Sequence, residues 1–454
     1  MSTDGGEAIS PHPSIAALCR WVLKLFYGEL EVRGLEQIPQ DRPLVYVANH
    51  VNSLVDGALL VGYMPTPPRL LGTSELWNMA ILKPFLRWAA AIPVYRRHIS
   101  GFDPSKNRDT FERCYEVLAA GGHIGLLPEG TSHSEPALVP IKTGVSRIVL
   151  GAEQRFGPLG TRIVPVGFTF EDRSAFRSAA LVQVGEIIDP SAETVTHETQ
   201  PKRSVQALTD RVRDGLLGVT LNFPSWEEAD VIEQAADLYQ RATLASSSAL
   251  LSERVALRRA FIAGYLKLKA THPHRVEEVA KAVQSYASEL SRYRLHDEQV
   301  AARVSRAQFV RFSLLSLWLL LVRLPLGLVG TIVHWIPFQA ASLVGRRRGR
   351  AGSADQVATY KVLASMVFYL VTWTVLAVAA GVTWGFAAAG AALVLGPLTG
   401  GVALRLYLRS KLFWRRARGY LLLRSRAPWV DELRQHRHEA VQAIKGLVEL
   451  YSEN

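Results

Sequence analysis

The sequence predicts an α/β domain, a mixed sheet flanked by helices, followed by a helical region and a C-terminal α-helical membrane domain. Three observations carry this reading. Between about residues 30 and 190, short apolar runs bounded by Gly or Pro alternate with segments of helical periodicity, as buried strands linked by helices do. From about 204 to 310 the chain is charged, with apolar residues at helical spacing. Beyond about residue 311, long uncharged apolar stretches take over. At 454 residues the chain exceeds what one core usually organises. The expected units are an N-terminal amphipathic segment (1–29), the α/β domain (30–190), a helical region (204–310), membrane-spanning helices in two hairpins (311–410) and a C-terminal cytoplasmic helix (411–454).

In chain order, residues 14–27 (SIAALCRWVLKLFY) place Ile15, Leu18, Trp21, Val22, Leu25 and Phe26 on one helical stripe, with Arg20 and Lys24 beside it. The segment is too short to span a bilayer. An interfacial anchor and a helix packed on its own domain both fit. Strands are expected in PLVYVANH, HIGLLPEG, RIVPVGFTF and AALVQVGE, and helices around 75–91, 106–120 and 142–156. The polar run from Asp189 to Arg203 reads as a linker.

In the tail, residues 312–345 are apolar apart from Arg323 and His334, but Pro325, Gly327, Gly330 and Pro337 interrupt them. This favours a bent or re-entrant pair over one straight span. Residues 362–404 carry no charge, enough for two spans of about 20 residues each. Basic flanks at Arg303 to Arg311, Arg346 to Arg350 and Arg405 to Arg418 all prefer the cytoplasmic side, which two hairpins satisfy. The segment 430–451 reads as an amphipathic helix on which His436 and His438 face different sides.

The balance of 52 Lys+Arg against 40 Asp+Glu gives a formal charge of +12, suited to an anionic partner. Because the basic clusters flank apolar spans, lipid is favoured over nucleic acid. Cys19 and Cys114 form no metal-spaced set, and a disulfide framework, a zinc site or any other metal centre is not expected. The N-terminus, with Asp4 and Glu7 in a polar run, lacks the pattern of a secretory signal. The expected location is a membrane crossed several times, the cytoplasmic membrane if the source is bacterial, with the α/β domain on the cytoplasmic side.

Four segments carry chemistry. His50 ends an expected strand, and Asp56 follows six positions later. A neutral imidazole can take the proton of an attacking alcohol while a carboxylate fixes its tautomer. Ser53-Leu54-Val55-Asp56 equally fits a capping box. Next, Ile92-Pro93-Val94-Tyr95 delivers Arg96 and Arg97, two guanidiniums suited to a phosphate or to a soluble surface. The run from Gly125 to Ser134 ends in Pro-Glu-Gly-Thr, whose amides and hydroxyls could surround a phosphate or polyol, or whose Glu129 could be buried or capping. Ile163 to Phe168 reads as core strand.

In this order, Asn-His followed by Asp, Ile-Pro-Val-x-Arg, Pro-Glu-Gly-Thr and Val-Pro-Val-Gly, the motifs resemble those of the glycerolipid acyltransferases. Two departures, five residues between His50 and Asp56 and Ser132-His133 after Thr131, resemble the branch containing fungal-type glycerol-3-phosphate and dihydroxyacetone-phosphate acyltransferases. So does the stretch Leu138 to Val145, which includes Lys142. The resemblance covers about residues 30–190. It implies transfer of an acyl group from acyl-CoA, a co-substrate, to glycerol 3-phosphate or dihydroxyacetone phosphate, with no other cofactor. His50 would be the general base, Asp56 its orienting partner and Arg96 the phosphate contact. Glu129, Gly130 and Thr131 would position the glycerol backbone, and His133, Arg97 or Lys142 would replace the arginine missing after Thr131. A lysophosphatidate acceptor is the near alternative. A non-catalytic lipid- or acyl-CoA-binding membrane protein and a thioester hydrolase are the alternatives from other classes. The extra residue between His50 and Asp56 is expected in the loop, with His50 outside the helix and Asp56 in its first turn.

Overall fold

The computed structural model describes residues 10–80, 82–95, 104–243, 250–301, 305–350, 356–424 and 427–453. They form two compact units. The first comprises Met1–Ser225 with Leu251–Val255 and Arg348–Thr359; the second comprises Trp226–Leu250, Ala256–Arg347 and Tyr360–Asn454.

The first unit is built on a seven-stranded sheet of β1 (Glu29–Arg33), β2 (Leu44–Ala48), β3 (Arg69–Thr73), β4 (Ile92–Val94), β5 (His123–Leu126), β6 (Arg162–Phe170) and β7 (Ala179–Val184), in the order β1-β7-β6-β2-β5-β3-β4. All neighbours are parallel except β6 and β7. All five residues of β2 are buried, as a strand covered on both faces requires. The helices are α1 (Pro13–Phe26), α2 (Leu54–Tyr63), α3 (Lys83–Trp88), α4 (Pro104–Ala119), α5 (Gly144–Phe156), α6 (Ser191–His197) and α7 (Pro201–Leu217). Leu118, Ile148, Leu150, Leu208, Val212 and Leu216 pack with Val45, Ile124 and Ile163 of the sheet in one core.

Three expectations change here. The α/β unit does not stop at residue 190: α7 supplies core residues, so the helical region begins later than 204. The stretch from Asp189 is not a linker, because it forms α6, whose buried Glu193 is bound by Arg211 of α7 at 2.8 Å. The helix expected over 75–91 is broken into a 3-10 turn, Ser74–Asn78, and the short α3. Of the two readings of the N-terminal segment, α1 packs on its own domain: Ile15 and Ala16 meet Val61 of α2, and Arg20 donates to the Gly62 carbonyl at 2.9 Å.

The second unit holds α8 (Trp226–Thr243), most of α9 (Leu251–Thr271), α10 (Pro273–Tyr293), α11 (Asp297–Ala301), most of α12 (Arg306–Arg350) and of α13 (Val357–Trp384), α14 (Phe386–Leu423) and α15 (Pro428–Glu453). Leu238, Val283, Tyr286, Leu433, Val441 and Ile444 make one core from α8, α10 and α15. Buried Asp297 accepts from Tyr286 Oη and Arg437 Nε, each at 2.7 Å, and from Arg241 at 3.3 Å. Buried charges of this kind persist only when paired.

Three helices, α12, α13 and α14, are long and apolar enough to cross a membrane, with mean hydropathies of 2.0, 2.1 and 1.7, and only 11% of each apolar window is buried within the protein. A helix that turns apolar side chains outward along its length has lipid as its solvent, so this is a membrane protein. The hairpin expected within 312–345 is not formed. α12 runs through Pro325 and Pro337 as a single helix of 45 residues, because lipid penalises a broken backbone ladder more than it penalises one missing amide at each proline. α14 likewise continues to Leu423, past the expected boundary at 410.

These helices approach closely where residues are small. A Cβ on Gly330 would run into the Thr399 backbone, and one on Gly400 would lie 2.9 Å from the His334 ring. His334 itself is satisfied: its Nδ1 donates to the Gly330 carbonyl at 2.7 Å, leaving Nε2 to accept from Trp373 Nε1 at 2.9 Å. The start of α12 meets the end of α14, with Phe309 stacked on Tyr420 at 3.9 Å. Two of the three basic flanks therefore share one end of the bundle.

Candidate active site

Parallel strands β2, β5 and β4 open at one edge of the sheet, where ligands of α/β proteins bind. β2 delivers the first loop to this edge. Asn49 continues the strand by side chain: its Nδ2 donates to the Phe168 carbonyl at 3.1 Å, and its Oδ1 accepts from the Phe168 amide at 2.7 Å. The next residue, His50, lies outside any helix, and Asp56 is the third residue of α2, as the spacing required.

His50 Nδ1 lies 3.0 Å from Asp56 Oδ2, which also accepts from the Asn52 amide at 2.7 Å. The carboxylate accepts only, so the bond makes Nδ1 the proton-bearing nitrogen and leaves Nε2 with a free lone pair. The His50 side chain is 16% exposed and that of Asp56 not at all. Burial pushes the Asp56 carboxyl above the usual carboxylate range, while the bond from His50 and the amides of Asn52 and Val51 pull it back. The extra residue of the motif is absorbed at Ser53, which sits at φ +52° and makes no side-chain cap bond, so the capping box does not form.

β5 delivers the second loop. Glu129 is 2% exposed and both of its oxygens are taken by the protein. Oε1 accepts from the His50 backbone amide at 2.6 Å, and Oε2 accepts from the Val139 amide at 3.1 Å and from His133 Nε2. The side chain thus ties the two loops together from within. Gly130 has φ +74°, a conformation that favours glycine, and a Cβ there would displace the flexible end of the Lys142 side chain. Thr131 is exposed, as is Lys142, whose amide donates to the Pro128 carbonyl at 2.8 Å.

His133 faces inward. Its Nδ1 accepts from the Glu135 amide at 3.1 Å while Nε2 binds Glu129, so both ring nitrogens are committed and neither is left for a phosphate. The bond to Glu129 raises the His133 pKa, against the opposing effect of burial. Arg96 and Arg97 lie outside the described residues. The chain reaches them from Tyr95, which leaves β4 at the site's edge of the sheet and is held on both sides of its peptide by Asn107.

Two groups were not singled out from the sequence. Arg173 Nη1 donates to the Val51 carbonyl at 3.0 Å and to the His133 carbonyl at 3.2 Å, joining both loops from outside. Asn52 Nδ2 donates to Tyr27 Oη at 2.8 Å, so the residue after α1 buttresses the His50 loop. The polar setting of Arg173, Glu171-Asp172-Arg173-Ser174, reads as surface and gave no signal of this role. A cavity of about 40 Å³ behind Glu129, bounded by Asn49, His133, Leu138 and Thr220, has room for water and not for a substrate.

Residues 29–169, which contain both loops, match the model of the Acyltransferase family. Residues 231–452 match the model of the Glycerol-3-phosphate acyltransferase 2 C-terminal domain. The chain carries an acyltransferase domain. Among relatives of this acyltransferase, Glycerol-3-phosphate O-acyltransferase 2 of Saccharomyces cerevisiae is 28% identical over 58% of this chain and 36% of its own. An uncharacterized acyltransferase of Schizosaccharomyces pombe is 30% identical over 55% of this chain and 38% of its own. The chain thus spans little more than a third of the length of these curated relatives. The crystal structure of the 1-acyl-sn-glycerophosphate acyltransferase from Thermotoga maritima aligns with 45% of this chain and 77% of its own, at 20% identity and a TM-score of 0.34.

Proposed function

We propose that this acyltransferase moves an acyl group from acyl-CoA to a hydroxyl of glycerol 3-phosphate or dihydroxyacetone phosphate in phospholipid biosynthesis. The observation that carries the reading is the His50–Asp56 pair, with Nδ1 on the carboxylate and Nε2 free at the sheet edge. The C-terminal match and the yeast relative named a glycerol-3-phosphate O-acyltransferase support this acceptor class.

Nε2 takes the proton of the acceptor hydroxyl as its oxygen attacks the thioester carbonyl. The resulting tetrahedral oxyanion collapses, the C–S bond breaks, and the leaving thiolate of CoA takes the proton back from His50. Asp56 holds the imidazole in register and stabilises its cation between the two steps. Arg96 binds the acceptor phosphate, with Arg97 and Lys142 as further contacts. Thr131 borders the acceptor, and Gly130 keeps the turn open beside Lys142. Glu129 acts through His50 and is a positioning residue. The thioester is already activated, so acyl-CoA as co-substrate supplies all the driving force the step needs.

The chain crosses the membrane more than once, with the α/β unit on the cytoplasmic side. The end of the bundle where Arg306 and Arg311 meet the basic stretch 405–418 faces the cytoplasm, because basic flanks resist translocation. In a background lacking Cys19 and Cys114, Lys411→Cys is expected to react with an impermeant thiol reagent from the cytoplasmic side, and labelling from the opposite side refutes the orientation.

The acceptor is tested by offering labelled palmitoyl-CoA and purified chain glycerol 3-phosphate, dihydroxyacetone phosphate and lysophosphatidate in parallel. Product with either of the first two is expected. Product with lysophosphatidate alone moves the acceptor to lysophospholipids, and hydrolysis alone moves the reaction to the thioester hydrolases.

A further inference from the structure

One end of the membrane helices carries charge that acyl transfer leaves unused. α12 and α14 together contain no Asp or Glu. Where the start of α12 meets the end of α14, two guanidiniums lie over one aromatic ring: Arg416 is 4.7 Å and Arg409 5.6 Å from the Phe312 centroid. Two of their basic neighbours are already engaged. Arg415 pairs with Glu298 of α11 at 3.7 Å, and Arg418 donates to the Tyr293 carbonyl at 3.5 Å. Among the described residues, neither Arg409 nor Arg416 meets a carboxylate, and Arg409 Nε is buried without a hydrogen-bond partner.

Two guanidiniums over one ring without a counter-charge, Arg409 half-buried and Arg416 exposed, attract an anion from outside the chain. The surroundings say which. Tyr407 and Trp414, 59% and 70% exposed, occupy the same stretch of α14 and mark the depth of the headgroups. An anion at that depth with apolar flanks is a lipid phosphate. We propose that Arg409 and Arg416, steadied by Phe312, bind the phosphate of an anionic membrane phospholipid.

Full-length chain in detergent is titrated with phosphatidylglycerol or phosphatidylcholine, and bound lipid is read by native mass spectrometry with thermal unfolding in parallel. Tighter binding of phosphatidylglycerol is expected. The pair Arg409→Gln, Arg416→Gln should weaken it roughly tenfold to thirtyfold, the loss expected for two arginines at a membrane surface, and leave phosphatidylcholine unchanged. A charge-matched pair on exposed α10, Arg275→Gln with Lys281→Gln, should leave both affinities in place. Equal binding of the two lipids by the native chain overturns the proposal. So does a double variant that keeps its preference, or a control that loses as much. Should the double variant fail to fold, Phe312→Leu retains both charges and is expected to lose most of the preference; full retention overturns the proposal.

Discussion

The α/β unit and the long helices spend apolar residues in opposite directions. In β2, Leu44, Val45 and Val47 are wholly buried, whereas on α12 Leu314, Trp318 and Ile332 stand more than 60% exposed. The same residue types are driven inward by water in one region and left outward where lipid is the solvent. Polar groups differ correspondingly. In the α/β unit, Asp56 and Glu129 are buried because each satisfies backbone amides of the two site loops, and Asn49 because it pairs with the Phe168 peptide of β6. Among the long helices, His334 is held by one carbonyl and one indole, and its neighbours are glycines. One region uses buried polarity to position a reaction, and the other uses it to register helices.

That contrast breaks first at Asp56. Asp56→Asn should lower kcat by about 10²- to 10⁴-fold through the wrong imidazole tautomer, while thermal stability at neutral pH is held or raised because the charge whose burial is unfavourable is gone. A raised carboxylate weakens the native fold fully above its folded pKa, and the penalty shrinks as pH falls below that value and is gone only below the ordinary carboxylate range. Melting curves from pH 4 to 8 should therefore show native and variant converging at the acid end. An active variant would make Asp56 a capping residue only.

Glu129→Ala strands two amides and His133 in the interior, and should cost about 3 kcal/mol or more, read as a lowered denaturation midpoint. With Glu129 present, His133 has a raised pKa, so its contribution to stability is fully present below the ordinary imidazole value of about 6.5 and fades as pH rises through the raised one. A midpoint that moves with pH in the native chain and less so in Glu129→Gln checks the sign. Arg173→Met loosens both loops without touching either reacting group, and a roughly tenfold loss in kcat with a small change in KM is expected. The smallest effect belongs to the membrane region. Trp373→Phe removes one interhelical bond, worth about 0.6 kcal/mol in such settings, and should leave kcat unchanged.

Legibility in the sequence followed the same division. β2, β5, β6 and β7 could be read because their runs are apolar throughout, and His50 and Asp56 because a strand end and a helix start bracket them. β1 passed unseen: Glu29, Glu31 and Arg33 give it a polar face, and only pairing to β7 makes ELEVR a strand. The contacts of Glu129 were not legible because its motif marks the loop, whereas the direction of the side chain depends on His50 and Val139, each far along the chain or around a turn. α12 was expected to bend because proline and glycine break helices in water; in lipid the remaining backbone bonds outweigh them. Arg173 gave no signal, since its partners are carbonyls, which every residue has.

The most direct test is the initial rate of acyl transfer from palmitoyl-CoA to glycerol 3-phosphate by native chain and by His50→Ala, both shown to be folded by their melting curves. A loss of about 10³-fold or more, with the acceptor still bound, is predicted for a base whose Nε2 receives the hydroxyl proton. A variant within tenfold of the native rate would contradict that assignment and leave the His50–Asp56 pair as a structural contact.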